Sequence, residues 1–258
     1  LGVAITLKDR KDDVKLSSAL SRLIEEDPTL SVEHAQDTHQ MVLWGQGEMH
    51  LRVAIDRLKG KYNVEVAGTR PRTPYKETIR RSGHAHGRHK KQSGGHGQFG
   101  DVKIEIHPQP RGTGFVFENK VFGGSVPKQY IPAVEAGARE HLRKGPLGFE
   151  VVDVGVTLLD GQYHSVDSSE MAFKTAVGLA LKEGLPQCHP VLLEPILAVT
   201  VSVPSDFTAK ALTLLTQRRG QILGYEAKAG WPGWDEISTH LPQAELHDLI
   251  VALRSLSQ

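Results

Sequence analysis

Residues 78–100 have the composition of a surface that contacts a polyanion. The segment contains no Asp or Glu, but it contains five Lys or Arg, four His and six Gly. Glycine lets the backbone come close to a phosphate, the cations neutralise the phosphate, and histidine adds ring stacking or a pH-dependent charge. We therefore expect contact with RNA here, and a solvated, flexible hairpin without function is the alternative.

The four histidines of this segment are poor candidates for a metal site. They are His84, His86, His89 and His96. No Cys, Asp or Glu lies among them, and no pair has the His-x-x-x-His spacing that would place two ligands on one face of a helix. We expect no metal ligand in the chain, and a metal-dependent enzyme built on residues 84–96 is the alternative from another functional class.

A second candidate for RNA contact is the turn-rich segment 160–167, between a predicted strand and a predicted helix. It exposes Tyr163 and His164, whose rings can stack on unpaired bases and form hydrogen bonds with them. An ordinary loop with Asp160-Gly161 as its turn is the alternative. Serines lie near His164, but no Gly-x-Ser-x-Gly elbow and no orienting partner occur, so no catalytic residue is predicted.

Two glycine motifs could bind a nucleotide, and neither has the context that this requires. Gly95, Gly97 and Gly100 satisfy Gly-x-Gly-x-x-Gly, but they lead into a strand-like segment and not into a helix. Gly45-Gln46-Gly47 lies between a strand and a helix, where we expect a tight turn, and a phosphate site at the helix N-terminus is the alternative. Because no Gly-x-x-x-x-Gly-Lys-Ser/Thr occurs, the chain by itself offers no P-loop.

The whole chain is close to neutral, which hides the basic segment. Its 258 residues include 31 Lys or Arg and 30 Asp or Glu, a formal net charge of +1 that by itself disfavours a protein coating nucleic acid through bulk charge. The single cysteine, Cys188, excludes an internal disulfide and fits a reducing compartment. Because the chain starts with Leu1 in a strand-like run, we expect it to be a piece of a longer protein, called here the parent protein.

The segments that bear this chemistry need a scaffold, and hydrophobic periodicity predicts three domains of α+β type. Residues 1–68 follow the order βαββαβ, and residues 193–258 repeat that order without its last strand, so the chain is expected to stop before that strand. Residues 69–192 form a longer middle domain. The predicted flanking elements are residues 3–7, 12–26, 30–34, 41–44, 47–59, 63–67, 196–203, 204–217, 223–225, 235–241 and 242–256. The predicted middle strands are residues 75–81, 99–107, 114–119 and 149–159, with helices ending at residues 144 and 183.

The second middle helix has a predicted start signal and a predicted packing face. Asp167 and Glu170 have the spacing of a capping box. Small and apolar residues at helical spacing behind them predict a face that packs closely on a sheet. They are Ala172, Thr175, Ala176, Leu179 and Ala180.

Short sequences along almost the whole chain resemble the C-terminal part of elongation factor G, the ribosomal translocase. Any one of them is a modest match, but all occur in the family's order. They are EEDPT at 25–29, GQGEMHL at 45–51, DRLK at 56–59, QSGGHGQFG at 92–100, GGSVP at 123–127, YIPAV at 130–134, DGQYHSVDSSEMAF at 160–173 and RRGQILG at 218–224.

The resemblance implies an α+β fold of three domains. Residues 1–68 correspond to domain III and residues 193–258 to domain V, both with the ferredoxin-like βαββαβ fold. Residues 69–192 correspond to domain IV, which in the family has a left-handed βαβ crossover, an exception to the usual right-handed connection. Domain IV is the arm that enters the decoding region of the small ribosomal subunit.

The resemblance also implies which residues contact RNA. His164 matches the family's tip histidine, Gly94 and Gly95 match glycines that keep the neighbouring loop thin, and Arg218 begins a motif of the domain that faces large-subunit RNA. The expected ribosome-contacting residues are Lys90, Lys91, Ser93, Gly94, Gly95, His96, Gly97, Gln98, Gln162, Tyr163, His164, Ser165, Arg218 and Arg219.

The implied activity is translocation of tRNA and mRNA in protein synthesis, by a steric mechanism. The expected partners are the ribosome, tRNA and mRNA, for a cytoplasmic monomer without membrane contact. No enzymatic activity and no cofactor are expected in this chain, because GTP and Mg would bind in an N-terminal domain of the parent protein.

Three departures from the family pattern leave a second role open. His96 stands where the family usually has Arg, residues 83–89 are unusually rich in His, and residues 227–233 make a longer, more aromatic hairpin with Trp231 and Trp234. The alternative is therefore a divergent paralogue that acts as a ribosome-protection or recycling factor.

Overall fold

The computed structural model describes residues 1–8, 10–92 and 97–256. The chain forms two compact units, one made of Leu1–Pro74 with Glu194–Gln258 and the other of Tyr75–Leu193. The first unit contains the two flanking modules, called here the first and the last module. The second unit is called here the middle unit. The division into three domains at residues 68 and 192 remains a prediction. None of the described helices is long and apolar enough to cross a membrane.

The first module has the predicted order βαββαβ. Its sheet order is β2-β3-β1-β4, with all neighbouring strands antiparallel, which is the ferredoxin-like arrangement. The two helices cover the sheet with buried leucines, including Leu23 and Leu58, both fully buried. The elements are β1 (Gly2–Leu7), α1 (Asp13–Glu26), β2 (Ser31–Ala35), β3 (Gln40–Trp44), α2 (Glu48–Gly60) and β4 (Val66–Thr69).

The middle unit contains a four-stranded sheet covered by two helices and a smaller three-stranded sheet. The large sheet has the order β6-β7-β10-β8, in which β8 and β10 are parallel neighbours joined through α3. The small sheet has the order β11-β5-β9. The elements are β5 (Lys76–Ile79), β6 (Gly83–Lys91), β7 (Gln98–Pro108), β8 (Phe115–Asn119), α3 (Ile131–His141), β9 (Glu150–Val151), β10 (Val154–Gln162), α4 (Glu170–Gln187) and β11 (Pro190–Leu193).

Strand β6 was not predicted, because its residues are polar or small and lack apolar alternation. Ala85 and Gly87 lie on the same face of the sheet, and that face packs on α4. A Cβ added at Gly87 would lie 1.9 Å from the carbonyl oxygen of Ala176, so only glycine permits this approach of strand and helix. The predicted small-residue face of α4 is confirmed at Ala172, Ala176 and Ala180, which are buried, and is wrong at Leu179, which is 42% exposed.

The predicted strand 149–159 is two strands, because the chain turns at Asp153. This residue has φ of 56°, in the left-handed region that ends a strand. Its buried carboxylate accepts hydrogen bonds from Gly112 N at 3.1 Å and Gly114 N at 2.9 Å. Strand β11 was also not predicted, because its four residues have the sequence of a linker. In the structure they pair with β5.

The last module repeats the strand order of the first within the described residues. Its sheet order is β12-β14-β13, and all neighbours are antiparallel. The predicted helix 242–256 is wrong in extent, since Pro242 ends a strand and a single 3-10 turn separates it from a shorter helix. The elements are β12 (Ile196–Pro204), α5 (Thr208–Gln217), β13 (Gln221–Ala227), β14 (Trp234–Pro242) and α6 (Leu249–Leu256).

Candidate nucleic-acid interface

Strands β6, β7 and β10 bring both predicted RNA-contacting segments to the same end of the large sheet. Lys91 lies opposite Gln98 where β6 meets β7, and Gln162 lies opposite Asp101 at the end of β10. We call this end of the middle unit the tip. It consists of residues 88–92 and 97–101 of the β6–β7 hairpin and of residues 160–169, which run from the end of β10 to the start of α4 and are called here the loop. Four of the expected contact residues, Ser93, Gly94, Gly95 and His96, lie outside the described residues.

Asp167 joins the two segments of the tip. Its carboxylate oxygen Oδ1 accepts a hydrogen bond from Gly97 N at 3.0 Å, and its backbone carbonyl accepts one from Phe99 N at 2.8 Å. A Cβ at Gly97 would lie 2.9 Å from the Asp167 carboxylate carbon, so a larger residue here would push that side chain away. The hairpin and the loop therefore form one surface.

Ser168 adds a second connection between hairpin and loop. Its hydroxyl donates to the carbonyl of Phe99 at 2.9 Å and accepts from His164 N at 2.9 Å. Its own carbonyl accepts from the Tyr130 hydroxyl at 3.2 Å, which ties the loop to the turn before α3. The loop that carries Tyr163 and His164 is thus held at its C-terminal end by the hairpin and by the turn before α3.

The ring of His164 is held in one orientation by its own loop. Its Nδ1 accepts from the backbone N–H groups of Val166 at 3.3 Å and Asp167 at 3.2 Å. We assign the ring proton to Nε2 in the neutral form, because Nδ1 is used as an acceptor. Nδ1 is also 3.3 Å from Asp167 Oδ2. The imidazole is 54% exposed and can donate to a phosphate, a ribose hydroxyl or a base.

The buried acid of the tip, Asp101, lies against a histidine and an arginine. The buried carboxylate of Asp101 lies 2.9 Å from His86 Nε2 and 3.8 Å from Arg88 Nε. The Arg88 guanidinium lies 5.4 Å from the centre of the Phe99 ring. Lys90 and Lys91 are exposed beyond this cluster, where they can meet phosphates.

Asp160 is another acid of the tip, and its carboxylate is paired with a lysine. The nearby Ser125 hydroxyl and then Lys103 lower the pKa of Asp160 to about 2. Lys103 Nζ donates to Asp160 Oδ2 at 3.0 Å. The Ser125 hydroxyl is close without meeting regular hydrogen-bond geometry, so we regard the lysine as the firmer partner.

The capping box predicted from Asp167 and Glu170 is wrong by two residues. The N-cap of α4 is Ser169, whose hydroxyl accepts from Ala172 N at 3.2 Å. Asp167 is thereby free to bind the hairpin. Sequence reasoning missed the joining role of Asp167 and Ser168, and the only signal for it was a run of short polar side chains between strand and helix.

The two predicted arginines lie in the other compact unit, at the end of α5. Arg219 has φ of 60° and binds Glu194 Oε1 at 2.7 Å and Glu245 Oε1 at 3.2 Å. The carboxylates of Glu194 and then Glu245 raise the pKa of Arg219 above its usual range. Arg218 donates to the carbonyl of Glu245 at 2.8 Å. Both side chains therefore hold their own module together, and Arg219 keeps 52% of its side chain exposed.

The histidines of β6 are separated by the pleat of the strand. His84 and His86 lie on one face and His89 on the other, where its Nε2 lies 2.8 Å from Gln98 Oε1. Within residues 1–8, 10–92 and 97–256, no three His, Cys, Asp or Glu side chains are grouped as metal ligands. His96 lies outside these ranges.

Gly45-Gln46-Gly47 forms the tight turn before α2. The N–H of Gln46 donates to His50 Nδ1 at 3.1 Å, and His50 Nε2 lies 2.8 Å from Asp27 Oδ2. The Thr29 hydroxyl, followed by His50, lowers the pKa of Asp27 to about 2. The Gln46 amide is already satisfied by a side chain, so the structure favours the turn over a phosphate site.

The aromatic hairpin between β13 and β14 makes its own cluster. Trp231 is 51% exposed, its ring centre lies 5.4 Å from that of Trp234, and Lys228 Nζ lies 4.4 Å above it. Gly230 and Gly233 both have φ of 77°, which residues with a side chain rarely adopt. The cluster stabilises the hairpin and is not part of the tip.

Proteins similar to this chain carry a consistent description. A curated protein of Synechocystis sp., "Elongation factor G-like protein", is 57% identical over 256 residues, which is 99% of this chain and 38% of that protein. A protein of Mycobacterium tuberculosis with the same name is 48% identical over 260 residues, which is 36% of its length. The chain thus spans little more than a third of the relatives that it matches.

A solved structure agrees in fold. A crystal structure of a protein from Thermus thermophilus superposes with a TM-score of 0.85 and 40% identity, covering 99% of this chain and 38% of that one. Three family models match consecutive segments of the sequence. They are domain III of elongation factor G at residues 1–70, domain IV at residues 71–189 and the elongation factor G C-terminus at residues 191–258. The chain belongs to the elongation factor G family.

Proposed function

We propose that this chain is the ribosome-binding part of an elongation-factor-G-like translational GTPase that promotes translocation of tRNA and mRNA. The observation that supports this most is the joined tip. Asp167 binds Gly97, and Ser168 binds Phe99, so the loop that carries the exposed imidazole is joined to the hairpin that carries Lys90 and Lys91. An end that presents exposed lysines and an exposed imidazole is suited to contact structured RNA.

The proposed mechanism is steric. The tip enters the decoding region of the small subunit, His164 and Tyr163 contact RNA, and the occupied space prevents backward movement of tRNA and mRNA. Binding and hydrolysis of GTP, with Mg, belong to an N-terminal domain of the parent protein and determine when the tip engages and leaves. Large-subunit RNA is the proposed partner of the module that carries Arg218 and Arg219, in a cytoplasmic monomer.

The test uses the parent protein with three substitutions in the tip. We expect His164→Ala with Lys90→Ala and Lys91→Ala to slow ribosome-dependent translocation, because the variant loses one ring and two cations at the RNA. Loss of two phosphate contacts lowers the slope of log affinity against log salt by roughly 1.4 to 1.8. Lys90 and Lys91 are exposed, so their replacement should leave the thermal midpoint unchanged. His164→Ala removes two hydrogen bonds within its own partly exposed loop, so the triple variant should lower the midpoint only slightly.

The matched control removes two exposed lysines from the opposite end of the same unit. Lys144 follows the end of α3 and Lys182 lies in the last turns of α4. Replacing both with alanine changes the net charge as much as the lysine substitutions in the tip. Equal translocation rates in tip variant, control and unmodified protein would remove the tip from the mechanism.

One observation favours the alternative role. The relatives are named as elongation-factor-G-like and not as the factor itself. A divergent paralogue would keep the RNA-contacting tip and use it to protect ribosomes from a ligand or to recycle them. Single-turnover translocation and subunit-splitting assays on the same parent protein separate the two roles. Splitting without translocation would replace the translocation proposal by the paralogue.

A further inference from the structure

A third loop lies beside the tip, between β8 and α3, and it presents a bare aromatic ring. Phe122 is 94% exposed, more than any other large apolar residue among the described ranges. Gly123 and Gly124 follow it with φ of 69° and 74°, and open space surrounds the position of a Cβ at each. An exposed aromatic ring offers a flat face on which a nucleobase can stack.

The loop is fixed at both ends, so the exposure of Phe122 is built into the fold. Before it, Lys120 N donates to Leu158 O at 2.8 Å, and Val121 packs against the core of the unit. After it, Val126 is 1% exposed, and a Cβ on Gly161 would lie 2.6 Å from its methyl group. Phe122 lies in the sequence between these two valines, both of which pack on the core.

The β8–α3 loop lies at the same end of the large sheet as the tip. Strands β8 and β10 are parallel, so the chain leaves both of them toward the same end of the sheet. Tyr130 ends the turn that follows this loop, and its hydroxyl donates to the carbonyl of Ser168. The hydroxyl of the same Ser168 accepts a hydrogen bond from His164 N in the tip. A partner that covers the tip at Tyr163 is therefore within reach of the β8–α3 loop.

The charged side chains of the loop itself favour a polyanion. Residues 119–130 contain no Asp or Glu, and they contain Lys120 and Lys128, both exposed. Lys120 lies 3.2 Å from Glu118, but both partners are exposed, and such pairs contribute little that a phosphate could not replace. Glycines next to a bare ring also let a sugar-phosphate backbone come close.

We propose that Phe122 stacks on an unpaired nucleobase of ribosomal RNA or tRNA and that the β8–α3 loop is a third RNA-contacting loop. This rests on the proposed function, because it takes the tip to be the RNA-facing end. Aromatic rings stack on every base type, so the contact adds affinity without sequence preference. Lys120 and Lys128 neutralise the flanking phosphates.

Photo-crosslinking tests the partner directly. The parent protein carries p-benzoylphenylalanine in place of Phe122 in one preparation and in place of Tyr163 in another. Each is irradiated on ribosomes with a non-hydrolysable GTP analogue. We expect RNA crosslinks from both positions. If position 163 crosslinks to RNA but position 122 crosslinks only to protein or to nothing, the proposal of a third RNA-contacting loop is overturned. The proposed function is unaffected by that result. Absence of RNA crosslinks from both positions overturns both.

Binding measurements test the stacking itself. Phe122→Leu keeps an apolar side chain and removes the ring, whereas Phe122→Trp keeps a ring. We expect the leucine variant to bind ribosomes roughly 5- to 100-fold more weakly and the tryptophan variant to bind as the unmodified protein does. Equal binding of all three proteins overturns the stacking proposal. The control is Leu147→Ala, an exposed apolar residue whose N–H binds Glu77 near the opposite end of the unit.

Discussion

Replacing Asp167 with alanine is the substitution that tests the joined tip. It removes the hydrogen bond from Gly97 N to Oδ1, at 3.0 Å, and keeps the one from Phe99 N to the backbone carbonyl. A hydrogen bond to a charged group contributes about 1.5 to 3 kcal/mol. Because 27% of the Asp167 side chain is exposed, we expect the lower part of that range, about 1.5 to 2 kcal/mol.

Amide hydrogen exchange of the chain measures this loss locally. A loss of about 1.5 to 2 kcal/mol in the free energy of opening makes the Gly97 amide exchange roughly 10- to 30-fold faster. Asp167→Asn keeps an uncharged acceptor, so its effect should be about half as large in free energy. Glu183→Ala is the control, because it removes an exposed carboxylate from the far half of α4. Unchanged exchange at Gly97 in Asp167→Ala, or an equal change in the control, would refute the joining role.

Two further predictions concern the scaffold of the tip. Gly87→Ala places a Cβ 1.9 Å from the carbonyl of Ala176, so we expect urea unfolding to show a loss of about 1 to 3 kcal/mol from overpacking. Gly224→Ala, which has open space around its Cβ, should cost less, and equal losses would contradict the packing argument. Asp160 has its pKa lowered to about 2, so its contribution to stability is present above the unfolded value of 3.8 and is lost as the pH falls toward 2. Its side chain is 47% exposed, and solvent screening reduces that contribution to about 1 kcal/mol or less. The stability difference between the chain and Asp160→Asn should therefore shrink between about pH 4 and pH 2, and a constant difference would count against the ion pair.

The elements with strong hydrophobic periodicity were predictable from the sequence. Helix α1 and the first hairpin follow the apolar spacing of their residues, and the βαββαβ order of the first module is confirmed. Strand β6 was not predictable in this way. It buries Gly87 against a helix, so its fit depends on the absence of a side chain and leaves no hydrophobic pattern.

The candidate site was predictable in its residue types and not in its connections. The exposure of Tyr163 and His164 followed from the turn-rich loop. The role of Asp167 did not, because an Asp three residues before a Glu also fits a capping box, and only the tertiary structure shows that Ser169 caps α4. The packing of Val126 on Gly161, which fixes the Phe122 loop, likewise joins residues distant in sequence.

The most direct test of the central claim is a cryo-EM map of the parent protein on the ribosome with a non-hydrolysable GTP analogue. The account predicts that the tip lies in RNA density, with His164 and Tyr163 within hydrogen-bonding or stacking distance of tRNA, mRNA or small-subunit RNA. A map in which the tip projects into solvent, or contacts only ribosomal proteins, would contradict the claim that this end of the middle unit binds RNA.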